Sequence, residues 1–88
     1  MYTLAATNPI SIIEGAYSAP VAVDVLETAI AYGAKQAFFF GICGGISGEL
    51  SIGDVIIPDE ILRMEGTSYH YKKAGVHAKP DQKLVREF

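Results

Sequence analysis

The amino-acid sequence predicts an α/β fold, and three observations point to it. A helical stretch with one apolar face, residues 20–32, lies between two apolar strand-like runs, Ile10-Ser11-Ile12-Ile13 and Gln36-Ala37-Phe38-Phe39-Phe40. A helix between two such strands suggests a βαβ crossover and a parallel sheet. The second run holds three consecutive aromatics and reads as a strand buried on both faces. A glycine-rich turn, Gly41-Ile42-Cys43-Gly44-Gly45-Ile46, follows that strand at once. Ligands in open α/β sheets collect at such strand exits.

Each element has its own cue. Tyr2 to Thr7 is a first candidate strand, and Asn8-Pro9 marks a turn before the Ile10 to Ile13 strand, so the two are expected to form a hairpin. Ser18-Ala19-Pro20 is a helix start, since serine can cap free N–H groups and proline is tolerated in the first turn. Val23, Leu26 and Ile30 give the helix its apolar face, and Gly33 sits where a left-handed turn commonly ends a helix. Asp54 to Ile57 reads as a strand stopped by Pro58, and Ile61 to Met64 as a further one. Tyr69-His70-Tyr71 is expected to be ordered by packing, and Pro80-Asp81 to open a last helix. No internal repeat or low-complexity segment is visible.

Composition bounds the function. The chain has 88 residues, half of them apolar and 19% charged, with a net charge of −3. These values belong to a folded globular protein. No apolar run approaches the roughly 20 residues of a membrane helix, and the amino-terminal residues do not resemble a signal peptide. The single cysteine, Cys43, excludes an internal disulfide and a zinc site built from several cysteines. A cytoplasmic setting, no membrane and no metal are therefore expected. Residues 1–62 carry −6 and residues 63–88 carry +3. Acids interleave the basic end, which reads as a solvated or partner surface; no nucleic-acid partner is expected. So short a chain buries only about 60–70% of its unfolded surface. Half-apolar composition then implies cover from elsewhere, such as a partner subunit or the rest of a larger domain, and a homo-oligomer is expected.

The glycine turn is the leading candidate for chemistry, because Gly44 and Gly45 let a ligand approach the backbone. It is neither a dinucleotide fingerprint nor a P-loop, since the spacing of both is absent. A tight strand exit without a ligand is the competing reading. Cys43 is either a nucleophile or a packed, unreactive thiol. The second is preferred, because His70 and His77 are distant in sequence. Asp54, after Gly53, is read as a turn residue accepting backbone hydrogen bonds rather than as a catalytic acid. Arg63, Glu65, Thr67, Ser68 and His70 form a polar cluster, suited either to a sugar or anion or to a solvated loop with an ion pair.

The run from Gly41 to Ile46, then Gly53-Asp54-Val55-Ile56-Ile57-Pro58, then Arg63-Met64-Glu65-Gly66-Thr67-Ser68-Tyr69-His70-Tyr71, resembles the nucleoside phosphorylase family. That family includes uridine phosphorylases, purine nucleoside phosphorylases and related nucleosidases. Ser18-Ala19-Pro20, Glu27 and Gly33-Ala34-Lys35 match in the same order, so the likeness runs from about residue 10 to residue 82. It implies that residues 1–88 are a partial domain of a three-layer α/β/α sandwich with a mixed, largely parallel sheet. It also implies ribosyl transfer from a nucleoside, with cleavage of the N-glycosidic bond and no cofactor beyond phosphate as co-substrate. Cys43, Gly44 and Gly45 match the stretch that contacts the nucleoside. Arg63, Glu65, Thr67 and Ser68 form a loop of the site or of a subunit interface. No residue is assigned as general acid or base.

Three positions depart from the family's pattern. Phe39 stands where an arginine is usual, and Ile42 where a threonine or serine is usual. Neither side chain can hydrogen-bond phosphate. The pattern is similar to AMP nucleosidases, in which water replaces phosphate. Ser18 stands where glycine is usual. The family's phosphate-binding glycine loop, ribose-binding Met-Glu motif and later catalytic acid are not visible. The chain is thus expected to be incomplete as an enzyme on its own. A hydrolytic nucleosidase and a non-catalytic fragment or oligomerisation module are the alternatives.

Overall fold

The computed structural model describes residues 2–4, 7 and 9–87. The chain divides into two compact units, Met1–Ala37 and Phe38–Phe88.

In the first unit, β1 (Tyr2–Leu4) pairs antiparallel with β2 (Ile10–Ile12), with Tyr2 opposite Ile12, Thr3 opposite Ser11 and Leu4 opposite Ile10. The expected hairpin therefore forms. Ala5, Ala6 and Asn8 lie outside the described residues, and with them most of the expected turn.

Helix α1 spans Ala19–Ala31 with Pro20 in its first turn. Ala19, Ala22, Val23, Leu26 and Ala29 are half-buried, a stripe at helical spacing. Of the apolar face expected, Ile30 alone stays exposed, at 57%. The start also differs from expectation. Ser18 makes no side-chain cap; its carbonyl accepts from the Ala22 N–H at 3.0 Å, and its backbone sits at φ 77°, ψ 152°. The helix end is as expected. Gly33 has φ 102°, its N–H donates to the Ile30 carbonyl at 2.9 Å, and the Ala34 N–H donates to the Ala29 carbonyl at 3.0 Å. This paired closure satisfies carbonyls that the last turn leaves open, and it needs a residue that tolerates positive φ.

The second unit is built mainly from turns. Residues 36–46 form no strand, and Phe39 and Phe40 are 76% and 98% exposed. The aromatic run is therefore not the doubly buried strand that its composition predicts. A strand exists only through its neighbours, and neither the β1–β2 ladder nor the Ile61–Ala78 bridge includes this stretch. Residues 54–57 likewise form no strand. Asp54 does take the turn role: its carboxylate accepts from the Ser51 N–H at 2.8 Å, and its own N–H donates to the Ser51 carbonyl at 3.1 Å. Gly53, at φ 95°, supplies the positive φ inside that turn.

Further along, Ile61 and Ala78 exchange backbone hydrogen bonds of 2.8 and 3.1 Å as an isolated antiparallel bridge. This bridge is all that forms of the strand expected over residues 61–64. A 3-10 turn covers Thr67–His70. Helix α2, Gln82–Arg86, starts where Pro80-Asp81 indicated, and the Asp81 carboxylate accepts from the N–H groups of Lys83 at 2.9 Å and Leu84 at 3.2 Å. Among residues 7 and 9–87 none is buried, so they form no apolar core.

Candidate functional site

Both groups of candidate residues lie in the unit Phe38–Phe88. Among the described residues no hydrogen bond or ion pair joins the glycine turn to the Arg63–Ser68 loop, so each stands as a separate feature.

The glycine turn is open. A Cβ added at Gly44 would meet nothing within 4 Å, and one added at Gly45 would make only ordinary contact with Leu50 at 3.5 Å. Neither residue has the positive φ of Gly33, Gly53 and Gly75. Nothing in the chain's own packing requires glycine at position 44. Cys43 is exposed rather than packed, and among the described residues no hydrogen bond ties it to either histidine. A nucleophile needs a base within hydrogen-bond reach, and Cys43 has none here.

The Arg63 loop is a closed hydrogen-bonded structure. Arg63 Nε donates to Ser68 Oγ at 2.9 Å. Its Nη1 donates to the carbonyls of Lys73 at 2.7 Å and Val76 at 2.9 Å, and its Nη2 donates to the Lys72 carbonyl at 2.6 Å. The guanidinium lies 4.5 Å from the Tyr69 ring centroid, and the Tyr69 hydroxyl donates back to the Arg63 carbonyl at 3.0 Å. Four of the five guanidinium N–H groups are thus spent within the loop. Bidentate capture of an anion by Arg63 requires breaking part of this ring. The polar cluster seen in the sequence is a largely exposed loop ordered by an arginine that gathers backbone carbonyls.

Glu65 works on the other side of the same turn. Its carboxylate accepts from the Ser68 N–H at 3.0 Å. Hydrogen bonds from Ser68 hold its carboxyl below the ordinary value of 4.5, with Arg63 adding a smaller attraction. A carboxyl lowered in the folded state stabilises the fold above its unfolded value, and that contribution is lost as pH falls through the folded value. Acidification from pH 5 downward is therefore expected to lower the protection of the Ser68 amide, read as its exchange rate relative to that of an unstructured amide at the same pH. Glu65→Gln should remove that pH dependence, and an unchanged profile in the variant would count against the contact. Thr67 and Ser68 are half-buried in the turn, while His70 is exposed.

One cluster had no cue in the sequence. Glu60 pairs with His77 Nδ1, and Lys79 Nζ lies 3.9 Å from the same carboxylate. The Ile61–Ala78 bridge sets Glu60 opposite Lys79. Only the register reveals this pairing, because the partners are far apart in sequence. A shallow cleft of about 220 Å³ is lined by Leu62, Arg63, Met64, Tyr69, Gly75, Val76 and His77. A more open one of about 450 Å³ lies beside Glu60, Lys72, His77 and Lys79. Ligand pockets usually enclose about 300–1,000 Å³. The first cleft is too small and the second too open to enclose a nucleoside unaided, and neither includes the glycine turn. Among the described residues no group of three or more His, Cys, Asp or Glu side chains is placed to hold a metal ion. No helix there is long and apolar enough to cross a membrane.

The family model described as the phosphorylase superfamily matches residues 2–88, nearly the entire chain. The chain belongs to the phosphorylase superfamily. This agrees with the resemblance carried by the glycine turn and the Arg63 to Tyr71 stretch, and it extends that resemblance to the amino-terminal hairpin. Nucleoside phosphorylases and nucleosidases are thus the frame for this superfamily member. No curated protein and no solved structure matches the chain.

Proposed function

We propose that this chain is part of a nucleoside phosphorylase-like domain that transfers ribose from a nucleoside, cleaving the N-glycosidic bond. The superfamily match over residues 2–88 is the observation that carries this reading. The space at Gly44 is open, so a nucleoside could approach the backbone there. In this account Cys43, Gly44 and Gly45 present backbone to the nucleoside. Arg63, Glu65, Thr67 and Ser68 keep a neighbouring loop in shape, at the site or at a subunit interface. The bond opens through an oxocarbenium-like state, so the protein's task is to position the sugar and stabilise charge on the departing base.

The chain needs no cofactor in this reading, and phosphate is the co-substrate. It works in the cytoplasm as a homo-oligomer, with neither nucleic acid nor membrane as partner. The complete domain is a three-layer α/β/α sandwich, of which this chain supplies one wall. The exposed aromatic run supports an incomplete site, because apolar strands of this kind are stable only under cover.

Hydrolysis is the second reading, and Phe39 and Ile42 favour it, since neither can bind phosphate. The test is incubation with uridine, inosine, adenosine and AMP, with and without phosphate, followed by mass spectrometry of free base, ribose and ribose 1-phosphate. Base release that depends on phosphate supports phosphorolysis. Free ribose, or ribose 5-phosphate from AMP, without phosphate moves the assignment to a nucleosidase. No release from any substrate leaves a non-catalytic fragment or oligomerisation module and overturns the enzymatic reading.

A further inference from the structure

Arg63 draws one side of its loop inward and leaves the other side open. The guanidinium holds the carbonyls of Lys72, Lys73 and Val76. No peptide bond among the described residues is cis. In a trans peptide the N–H points opposite to the carbonyl before it. The N–H groups of Lys73, Ala74 and His77 therefore point away from Arg63. None of the three donates a hydrogen bond among the described residues. Backbone donors of this kind take an acceptor from water or from a ligand. Gly75 bends the loop between them at φ 83°. A Cβ added there would meet nothing within 4 Å, so the backbone angle and not lack of space calls for glycine.

We infer that this outer side of the loop is a binding site for a phosphate group, free or carried by a phosphate monoester. Successive N–H groups in a turn form a concavity that accepts an anion. The open cleft beside the loop is lined by Glu60, Lys72, Gly75, Val76, His77 and Lys79, and Arg63 is not part of that lining. Two ammonium groups thus meet one carboxylate there. That carboxylate is already paired with His77 and lies 3.9 Å from Lys79. Lys72 has no ion pair among the described residues. Residues 63–88 carry +3 in a chain of −3, so the local field favours an anion. A phosphate has enough oxygens to accept from the backbone donors and both lysines together, and such charge-assisted bonds are the strong ones. Arg63 acts here as a positioning residue, since it turns the peptides without touching the ligand. The inference goes beyond the reading above, which assigns no ligand to Lys72, Gly75, His77 or Lys79, and it does not depend on the glycine turn.

The test is an NMR titration of the isotope-labelled chain, at constant ionic strength in chloride, with inorganic phosphate and separately with glycerol phosphate. The expected result is saturable shifts at the amides of Lys73, Ala74 and His77. Tighter binding of glycerol phosphate assigns the site to a phosphorylated ligand, and equal or weaker binding assigns it to free phosphate. Lys72→Gln with Lys79→Gln should weaken binding at least about 5-fold. Gly75→Val keeps every charge but disfavours the positive φ, and should weaken binding about 10-fold with the Ser68 amide still protected. Lys83→Gln removes a charge outside the cleft and should leave the affinity unchanged. Titrations with no saturable shift from either probe, or with shifts only at other residues, overturn the inference. So does a Gly75→Val variant, or a double lysine variant, that binds as well as the wild type. Neither probe contains a nucleoside, so this site and the nucleoside reading can fail separately.

Discussion

Arg63→Ala is expected to destabilise the unit Phe38–Phe88 by about 2–3 kcal/mol, the largest single-residue effect in the chain. The side chain donates four hydrogen bonds, three of them to main-chain carbonyls of Lys72, Lys73 and Val76. Charge-assisted bonds of this kind are worth about 1.5–3 kcal/mol each when sheltered. Arg63 is only half-buried, so water competes for the same carbonyls, and the sum is far below four full bonds. Truncation also removes the face-on contact with Tyr69. Arg63→Lys should recover less than half of the loss, because an ammonium cannot reach four acceptors spread around a planar fork. Chemical denaturation measures the stability change. Hydrogen exchange at residues 72–76 locates it, and α1 should be unaffected. A loss below about 0.5 kcal/mol for the alanine variant would show that the carbonyls are equally well served by water.

Ser18→Gly should have the next largest effect and the opposite sign. Ser18 holds φ 77° and ψ 152° just before α1, a backbone region that costs a residue with a Cβ about 1–3 kcal/mol. Its hydroxyl makes no cap hydrogen bond, so glycine forfeits no contact. Glycine does lose more chain entropy on folding, about 0.5–1 kcal/mol. The net expectation is a stabilisation of about 1 kcal/mol, read as a higher thermal midpoint and a stronger helical signal. Ser18→Val should move both in the other direction. A Ser18→Gly variant no more stable than the wild type would mean that the strain is relieved in solution. The same geometry gives a physical reason why glycine suits this position in the family's pattern.

The elements legible in the sequence were those whose cause is local. Pro20 and Gly33 bracket α1 because one residue fits a first turn and the other a positive-φ closure. Asp81 announces α2 because a carboxylate one residue upstream can reach two free N–H groups. Asp54 declares its turn through the glycine before it. Beyond the amino-terminal hairpin, what failed was what depends on a partner distant in sequence. Three phenylalanines say that a strand should be covered, but they do not supply the strand that covers it. Arg63 carried its charge into view while its acceptors stayed hidden, because main-chain carbonyls leave no trace in residue type. The Glu60–His77–Lys79 cluster was hidden for the same reason, since it exists only through the Ile61–Ala78 register.

The central claim is that the turn from Gly41 to Ile46 receives a nucleoside. An NMR titration of the isotope-labelled chain with uridine and inosine tests it most directly, by following the backbone amides. The account predicts saturable shifts at Cys43, Gly44 and Gly45, and their loss in Gly44→Val, whose side chain would occupy the space that is open in the wild type. Titration to high nucleoside concentration without saturable shifts at these three amides, or with shifts confined to other residues, would contradict it.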